Sequence, residues 1–306
     1  MVLSQIEKQI KEKIERIGTP LKDWDIQINY GIKTGFNEAF IITGDKRKEL
    51  IELDPKSEEI IRPILRGRNI KRYKYHFDDE YLIATFPSLQ INIEQYPAVK
   101  SHLLSFGREL LAENGNAWVA ENYLSEWCFK RLEQTGKEIF IDGQKISFAN
   151  NTHARKKTGN KWFETQDAIS YWDDFSKQKI AWGNLSLNNQ FSIIDEEYMI
   201  NAPSAFFCTE DIYLLAILNS KLANYYIKSL GVTRNGGYFE FKPMFVTQMP
   251  IPKEISESIK NELLKLVKDI EINHRDISLF ENRIDDLVFK LYQLTYDEIN
   301  FIANKN

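Results

Sequence analysis

Ile259, Leu263, Leu266, Ile270, Asn273, Ile277, Phe280, Ile284, Leu287 and Leu291 stand alternately four and three residues apart. A strand repeats every second residue, so this spacing restricts the C-terminal segment to helix. The pattern is that of a heptad seam with one polar member, Asn273. An unbroken helix over the span would be about 48 Å long. The alternative is two consecutive helices broken near Asn273-His274. A second apolar stripe, Leu3, Ile6, Ile10, Ile14 and Ile17, ends at Gly18-Thr19-Pro20 and predicts an N-terminal helix. Each helix has one apolar face, and each is expected to bury it against the other.

Between these ends the pattern changes to short, irregularly alternating elements. Strands are predicted at Ile26–Ile32, Ala39–Thr43, Tyr81–Phe86, Glu138–Ile141, Lys145–Ala149, Lys179–Trp182, Phe191–Ile194, Ala205–Thr209 and Tyr238–Lys242. Helices are predicted at Ser57–Leu65, Pro97–Glu113, Ala120–Glu133 and Asp211–Ser229. The even βα rhythm of a doubly wound sheet is missing, so the expectation is a mixed α+β fold. It divides into an N-terminal helix (1–20), a mixed domain (21–253) and a C-terminal long helix or helical hairpin (254–306) that packs with the N-terminal helix.

The hydrophobic share of 43% supports a sizeable core, and a formal charge of −4 argues against non-specific coating of nucleic acid. Residues 254–306 carry 11 acidic and 7 basic side chains, leaving 33 of each in the first 253. Any affinity for DNA must then come from clustered cations. No apolar run approaches the ~20 residues needed to cross a bilayer, and the charged start has no signal-peptide pattern. Cys128 and Cys208 sit in apolar contexts, which points away from a disulfide and towards a reducing cytoplasm.

Four segments carry candidate DNA contacts. Gly31 and Gly35 bracket a tight turn whose Lys33, Thr34 and Asn37 are donors suited to phosphate or base edges. Arg62, Arg66, Arg68, Lys71, Arg72 and Lys74 form the densest cationic cluster, with Tyr73 and Tyr75 interleaved and no acid between Glu59 and Asp78. Arginine suits bidentate contact with guanine or phosphate, and the bland alternative is pairing with Asp78-Asp79-Glu80. His153, Arg155, Lys156, Lys157 and Lys161 occupy a polar loop that is either a base-reading loop or an ordinary surface. Arg234 and Asn235 lie in T-R-N-G-G-Y, which also reads as a plain turn. No catalytic constellation accompanies them. The four histidines are scattered and none is near a cysteine, so no zinc site is expected. Asp142-Gly143-Gln144-Lys145 lacks the upstream acid and the Glu of a nuclease site and is expected to be a β-turn.

Several of these segments together resemble the TaqI-like target-recognition domain of fused restriction–modification enzymes. They are Tyr30–Phe40; I-I-R-P-I-L-R-G-R-N-I-K-R-Y-K-Y at Ile60–Tyr75; Trp162-Phe163-Glu164-Thr165-Gln166; Lys179-Ile180; Y-L-L-A-I-L-N-S-K-L at Tyr213–Leu222; M-P-I-P-K at Met249–Lys253; and the closing I-D-D-L-V-F-K-L-Y-Q-L-T-Y-D-E-I. The resemblance fades over Asn114–Asn151. It implies sequence-specific recognition of double-stranded DNA, in which Arg66, Arg68, Lys71, Arg72 and Tyr73 position or read the duplex with the other candidates. It also implies a partner methyltransferase or endonuclease, in the same or another chain, holding S-adenosylmethionine and magnesium; this chain itself is expected to need no cofactor. Two rivals stay open. One is a metal-dependent nuclease with an unrecognised site. The other is a coiled-coil assembly module that self-associates through the heptad seam.

Overall fold

All four residues of the strand Lys179–Trp182 are buried, and the molecule is organised around it. The computed structural model describes residues 3–103, 105, 138–141, 144–147, 160–161, 163–231, 233–273 and 277–305. Lys179–Trp182 lies within a four-stranded antiparallel sheet, between Phe191–Ile194 and Ala205–Cys208, with Ile28–Tyr30 at the far edge. Successive side chains point to opposite faces. Ile180, Trp182, Phe191, Ala205 and Phe207 therefore join one apolar core, while Ala181, Ile194 and Phe206 join another. This sheet is the wall between the two cores.

The first core is closed by a second sheet, ordered Met199–Ile200, Ile61–Leu65, Glu80–Ile83 and Ile41–Thr43, in which only the Met199–Ile200 pairing is parallel. The second core is helical. Tyr213–Asn219 and Lys221–Leu230 cover the sheet, and Glu257–Ile272 and Ile277–Leu291 pack on them. Ser220 breaks the first pair: its backbone is extended, and its hydroxyl accepts from the Ala223 N–H as an N-cap. The adjacent Asn219 is buried. Its Oδ1 accepts from the Phe191 N–H at 3.0 Å and its Nδ2 donates to the Phe191 carbonyl at 2.9 Å. The Leu-Asn-Ser segment thus supplies the edge strand with the backbone pairing that a neighbouring strand would otherwise give.

Lys179 is fully buried, and its ammonium donates to the carbonyls of Phe175 (2.9 Å), Lys177 (3.0 Å) and Asp195 (2.9 Å). Burial pushes its pKa down to about 8. At neutral pH it remains a cation that ties the 175–177 stretch to the end of the neighbouring strand at Asp195.

The α+β class and the helical ends agree with expectation, but several local predictions are corrected. Ser57–Leu65 is not a helix: Pro55–Ile60 is 3-10 and Ile61–Leu65 is a strand. Ile61, Ile64 and Leu65 are buried at both strand-like and helix-like spacings, so the sequence pattern did not discriminate. Asn37–Phe40 is a helical turn, and the strand begins only at Ile41. Asp211–Ser229 is two helices rather than one. The single long C-terminal helix is also corrected. The seam folds back as a hairpin, burying Leu263, Leu266, Val267, Ile270, Ile284, Leu287 and Val288 within the chain. Asn273 is the exposed C-cap of the first arm, not a polar member of a buried seam.

The N-terminal helix, Gln5–Ile17, starts with a Ser4/Glu7 capping box and buries Ile10 and Ile14. It does not lie along the hairpin seam. Its main contacts are with Pro250–Ile251, which pairs with Thr19–Pro20, and Lys13 reaches Glu298 in the last helix at 2.7 Å. Among the described residues no helix is long and apolar enough to cross a membrane.

Lys179→Met is expected to lower unfolding free energy by about 2–4 kcal/mol, because one buried and two part-buried carbonyls lose a charged donor; a denaturant titration with an unchanged midpoint would contradict this role. Asn273→Leu, at an exposed cap, should shift stability by no more than about 0.5 kcal/mol. A clear rise in its thermal midpoint would instead support the buried seam.

Candidate nucleic-acid interface

The turn after Tyr30 is built by close backbone packing. The Gly31 N–H donates to the Ser204 carbonyl at 2.8 Å, and a Cβ at Gly31 would stand 2.5 Å from the Asn201 carbonyl carbon. Gly35 has φ +80, a conformation that favours glycine. Thr34 is buried: its hydroxyl donates to Asn37 Oδ1 (2.6 Å) and accepts from the Phe36 N–H (3.1 Å). The F-E-T-Q stretch docks here, with Gln166 N–H donating to the Thr34 carbonyl and Asp167 N–H to that of Lys33. Lys33 is exposed and has no ion pair among the described residues. Lys161 is exposed, with its ammonium 5.6 Å from the Phe163 ring centre. His153, Arg155, Lys156 and Lys157, like Trp162, Cys128 and Asp142-Gly143, lie outside the described residues.

The arginine cluster divides into two groups. Arg66 donates to Glu80 at 2.6 Å, and Arg68 pairs with Asp78 (3.1 Å) and Glu80 (3.3 Å). The pairing with Asp78 and Glu80 that the sequence left as an alternative is what the unbound protein has. Lys71 and Lys74 are exposed without ion pairs among the described residues. Arg72 instead points towards the helical hairpin. It pairs with Glu281, donates to Asn189 Oδ1 at 3.0 Å, and lies 5.4 Å from the Tyr73 ring. Tyr73 is buried, with φ +62, and its hydroxyl has no hydrogen-bond partner among the described residues. Burial pushes that phenol well above its ordinary range. Arg72 and Tyr73 thus join the recognition segment to the C-terminal helices.

In the third segment Gly236 and Gly237 both have φ +79, which makes the tight return to Phe239–Glu240. Arg234 and Lys242 both pair with Glu240, at 2.5 and 2.8 Å. Together they hold its carboxyl below the usual carboxylate range, Lys242 most strongly. Asn235 is exposed.

Three segments far apart in sequence meet on one face. A cleft of about 510 Å³ is lined by Arg66, Arg68 and Lys71 together with Asn184, Leu185, Leu187 and Tyr238. Past Asn184 and Pro203 it continues into a recess of about 670 Å³ that contains Arg234 and Asn235. Past Asn201 and Ala202 it joins one of about 340 Å³ that contains Lys33, Thr34 and Asn37. Two buried polar atoms bordering this cleft, Asn184 Oδ1 and Ser204 Oγ, have no hydrogen-bond partner among the described residues. Asn184, Leu185, Leu187 and Asn201–Ser204 do not stand out in the sequence. Their only local signals were the alternation in N-L-S-L-N and the turn residues of N-A-P-S. Among the described residues no three His, Cys, Asp or Glu side chains are grouped to hold a metal ion.

Comparison with known proteins matches this architecture. Among solved structures the chain is similar to the type IIL restriction–modification enzyme MmeI in complex with DNA, at a TM-score of 0.58 and 12% identity over 94% of this chain and 35% of that one. The type IIG restriction endonuclease BpuSI aligns at a TM-score of 0.48 and 10% identity over 95% of this chain and 34% of that one. The chain spans about a third of the length of each. At these identities the likeness to MmeI shows the fold alone. No curated protein matches. The sequence model of the TaqI-like C-terminal specificity domain matches residues 62–251, well over half of the chain, and the protein belongs to that family.

Proposed function

We propose that this chain is a sequence-specific recognition domain for double-stranded DNA within a restriction–modification system, holding a methyltransferase or endonuclease part in register with its target site. The observation that carries this reading is that the 33–37, 66–71 and 234–235 segments line three neighbouring recesses that share Asn184, Leu185, Pro203, Asn201 and Ala202. Sequence-distant cations gathered on one concave face suit a polyanion, and the asparagines and the backbone of turns suit base edges. Lys33 and Lys71 make the first phosphate contacts, since neither has an acid to give up. Arg66, Arg68 and Arg234 exchange Asp78, Glu80 and Glu240 for phosphate or guanine. The Arg68 and Arg234 side chains are more than half exposed, and such pairs are worth only about 0–1 kcal/mol each, whereas the part-buried Arg66–Glu80 pair costs more to exchange. Until then the acids hold the guanidinium groups in place and reduce attraction to arbitrary duplex, consistent with the −4 formal charge. His153, Arg155, Lys156, Lys157 and Lys161 remain candidate readers on sequence grounds. Thr34 and Asn37 shape the turn that presents Lys33, and Arg72 and Tyr73 hold the 66–71 segment against the helices.

Chemistry belongs to partner domains that would bind S-adenosylmethionine and magnesium. The family resemblance suggests that such a partner flips an adenine out of the duplex. Metal-dependent cleavage of DNA by this chain alone would favour the nuclease reading instead. The assembly-module reading loses its main support, because the apolar seam is consumed inside the chain.

Duplex affinity, followed by fluorescence anisotropy across a salt series, should fall linearly in log–log form. Lys33→Ala with Lys71→Ala should reduce the slope by about 2, at ~0.9 for each phosphate that is no longer neutralised. Glu80→Gln, which releases Arg66 and leaves Arg68 only Asp78, should tighten binding to arbitrary duplex and steepen the slope. If neither slope moves, the cleft does not face the DNA backbone.

A further inference from the structure

Resting on the DNA reading above, the geometry points to Leu185 and Leu187, with Tyr238 beside them, as an apolar reader of thymine methyl groups. The three side chains are 54%, 50% and 42% exposed, yet they sit in a cleft whose walls carry Arg66, Arg68 and Lys71. Between the two leucines Ser186 turns inward, with its hydroxyl donating to the Asn188 carbonyl at 2.5 Å. Leu185, in the strand, and Leu187, just beyond it, therefore flank the inward-turned Ser186 and both stay exposed.

Their mounting is rigid. Leu185–Ser186 pairs with Phe239–Glu240, and the Phe241 N–H donates to the Asn184 carbonyl at 2.7 Å. Buried Trp182 donates from its indole to the Phe241 carbonyl at 2.7 Å. On the far side Asn189 is buried, with Nδ2 donating to the carbonyls of Leu218 (2.6 Å) and Ser220 (3.0 Å). Gly183 abuts Gly67, so the strand is set directly against the arginine segment. Apolar side chains held out to solvent on fixed stems, between cations, call for a ligand with small apolar spots framed by anions. In the major groove of DNA the apolar group on the base edges is the thymine 5-methyl. Contact with it costs two exposed leucines little entropy on a strand that is already ordered.

The test uses the full chain. Duplexes are selected from a randomised pool, and each thymine of the enriched site is then replaced by deoxyuridine, which removes only the methyl group. At one or more positions the wild-type protein should lose about fourfold in affinity, the equivalent of one buried methyl at ~0.8 kcal/mol. Leu185→Ala with Leu187→Ala should bind the thymine and uracil duplexes equally at those positions, with the salt slope and thermal midpoint unchanged. An enriched site indifferent to every uracil overturns the inference and leaves DNA recognition standing, as does discrimination that persists in the double variant. Absence of duplex binding by the wild-type chain overturns both readings.

Discussion

The constraint on which the structure depends is that one sheet is buried on both faces. Lys179–Trp182 and its neighbours send alternate side chains into two separate cores, so a polar group at Ile180, Ala181, Trp182, Phe206 or Phe207 would disturb one core or the other. The single cation in that strand is tolerated because its ammonium is surrounded by three carbonyls, two from the 175–177 stretch and one from Asp195. A wall of this kind fixes the ends of its strands. From those ends emerge Gly183–Leu187, the Asn201–Ser204 loop and the turn after Tyr30, which together form the floor and one wall of the cleft.

The electrostatics of the cleft are moderated rather than intense. Most of its guanidinium groups have a carboxylate partner within 3.3 Å, and only Lys33 and Lys71 among its described cations are unpaired. A site built to hold any polyanion would leave its cations open. Paired arginines favour a ligand that replaces each acid with an oxygen in the right place, which converts charge into a geometric requirement. Arg72 shows the same principle turned inward. Its contacts with Glu281 and Asn189 fasten the segment carrying Arg66 to Lys71 against the C-terminal hairpin, so the helices help to set the shape of the cleft.

The strand cores Lys179–Trp182 and Phe191–Ile194 were legible to the residue because a short apolar run bounded by polar residues has few other solutions. The Ser57–Leu65 segment was misread because isoleucines at mixed spacings fit either period. The heptad seam was correctly apolar and helical, but periodicity cannot distinguish a long helix from a hairpin. Both bury the same stripe, and the break at Asn273 depends on what the second arm finds to pack against. Of the site, the charged segments were visible because charge clusters locally. Leu185, Leu187, Asn184 and Ser204 were invisible because ordinary residues acquire meaning only from what lies opposite them.

Sequence by itself determined the α+β class, the helical ends, the ordered set of motifs that marks the family, and which segments hold the cations, since each is encoded within a few tens of residues. Tertiary structure alone decided which of those cations face a common cleft, which are neutralised by Asp78, Glu80 and Glu240, and which, like Arg72, serve as anchors. The physical reason is that ion pairing and concavity are properties of residues brought together from 30 to 240, and no local pattern records that meeting.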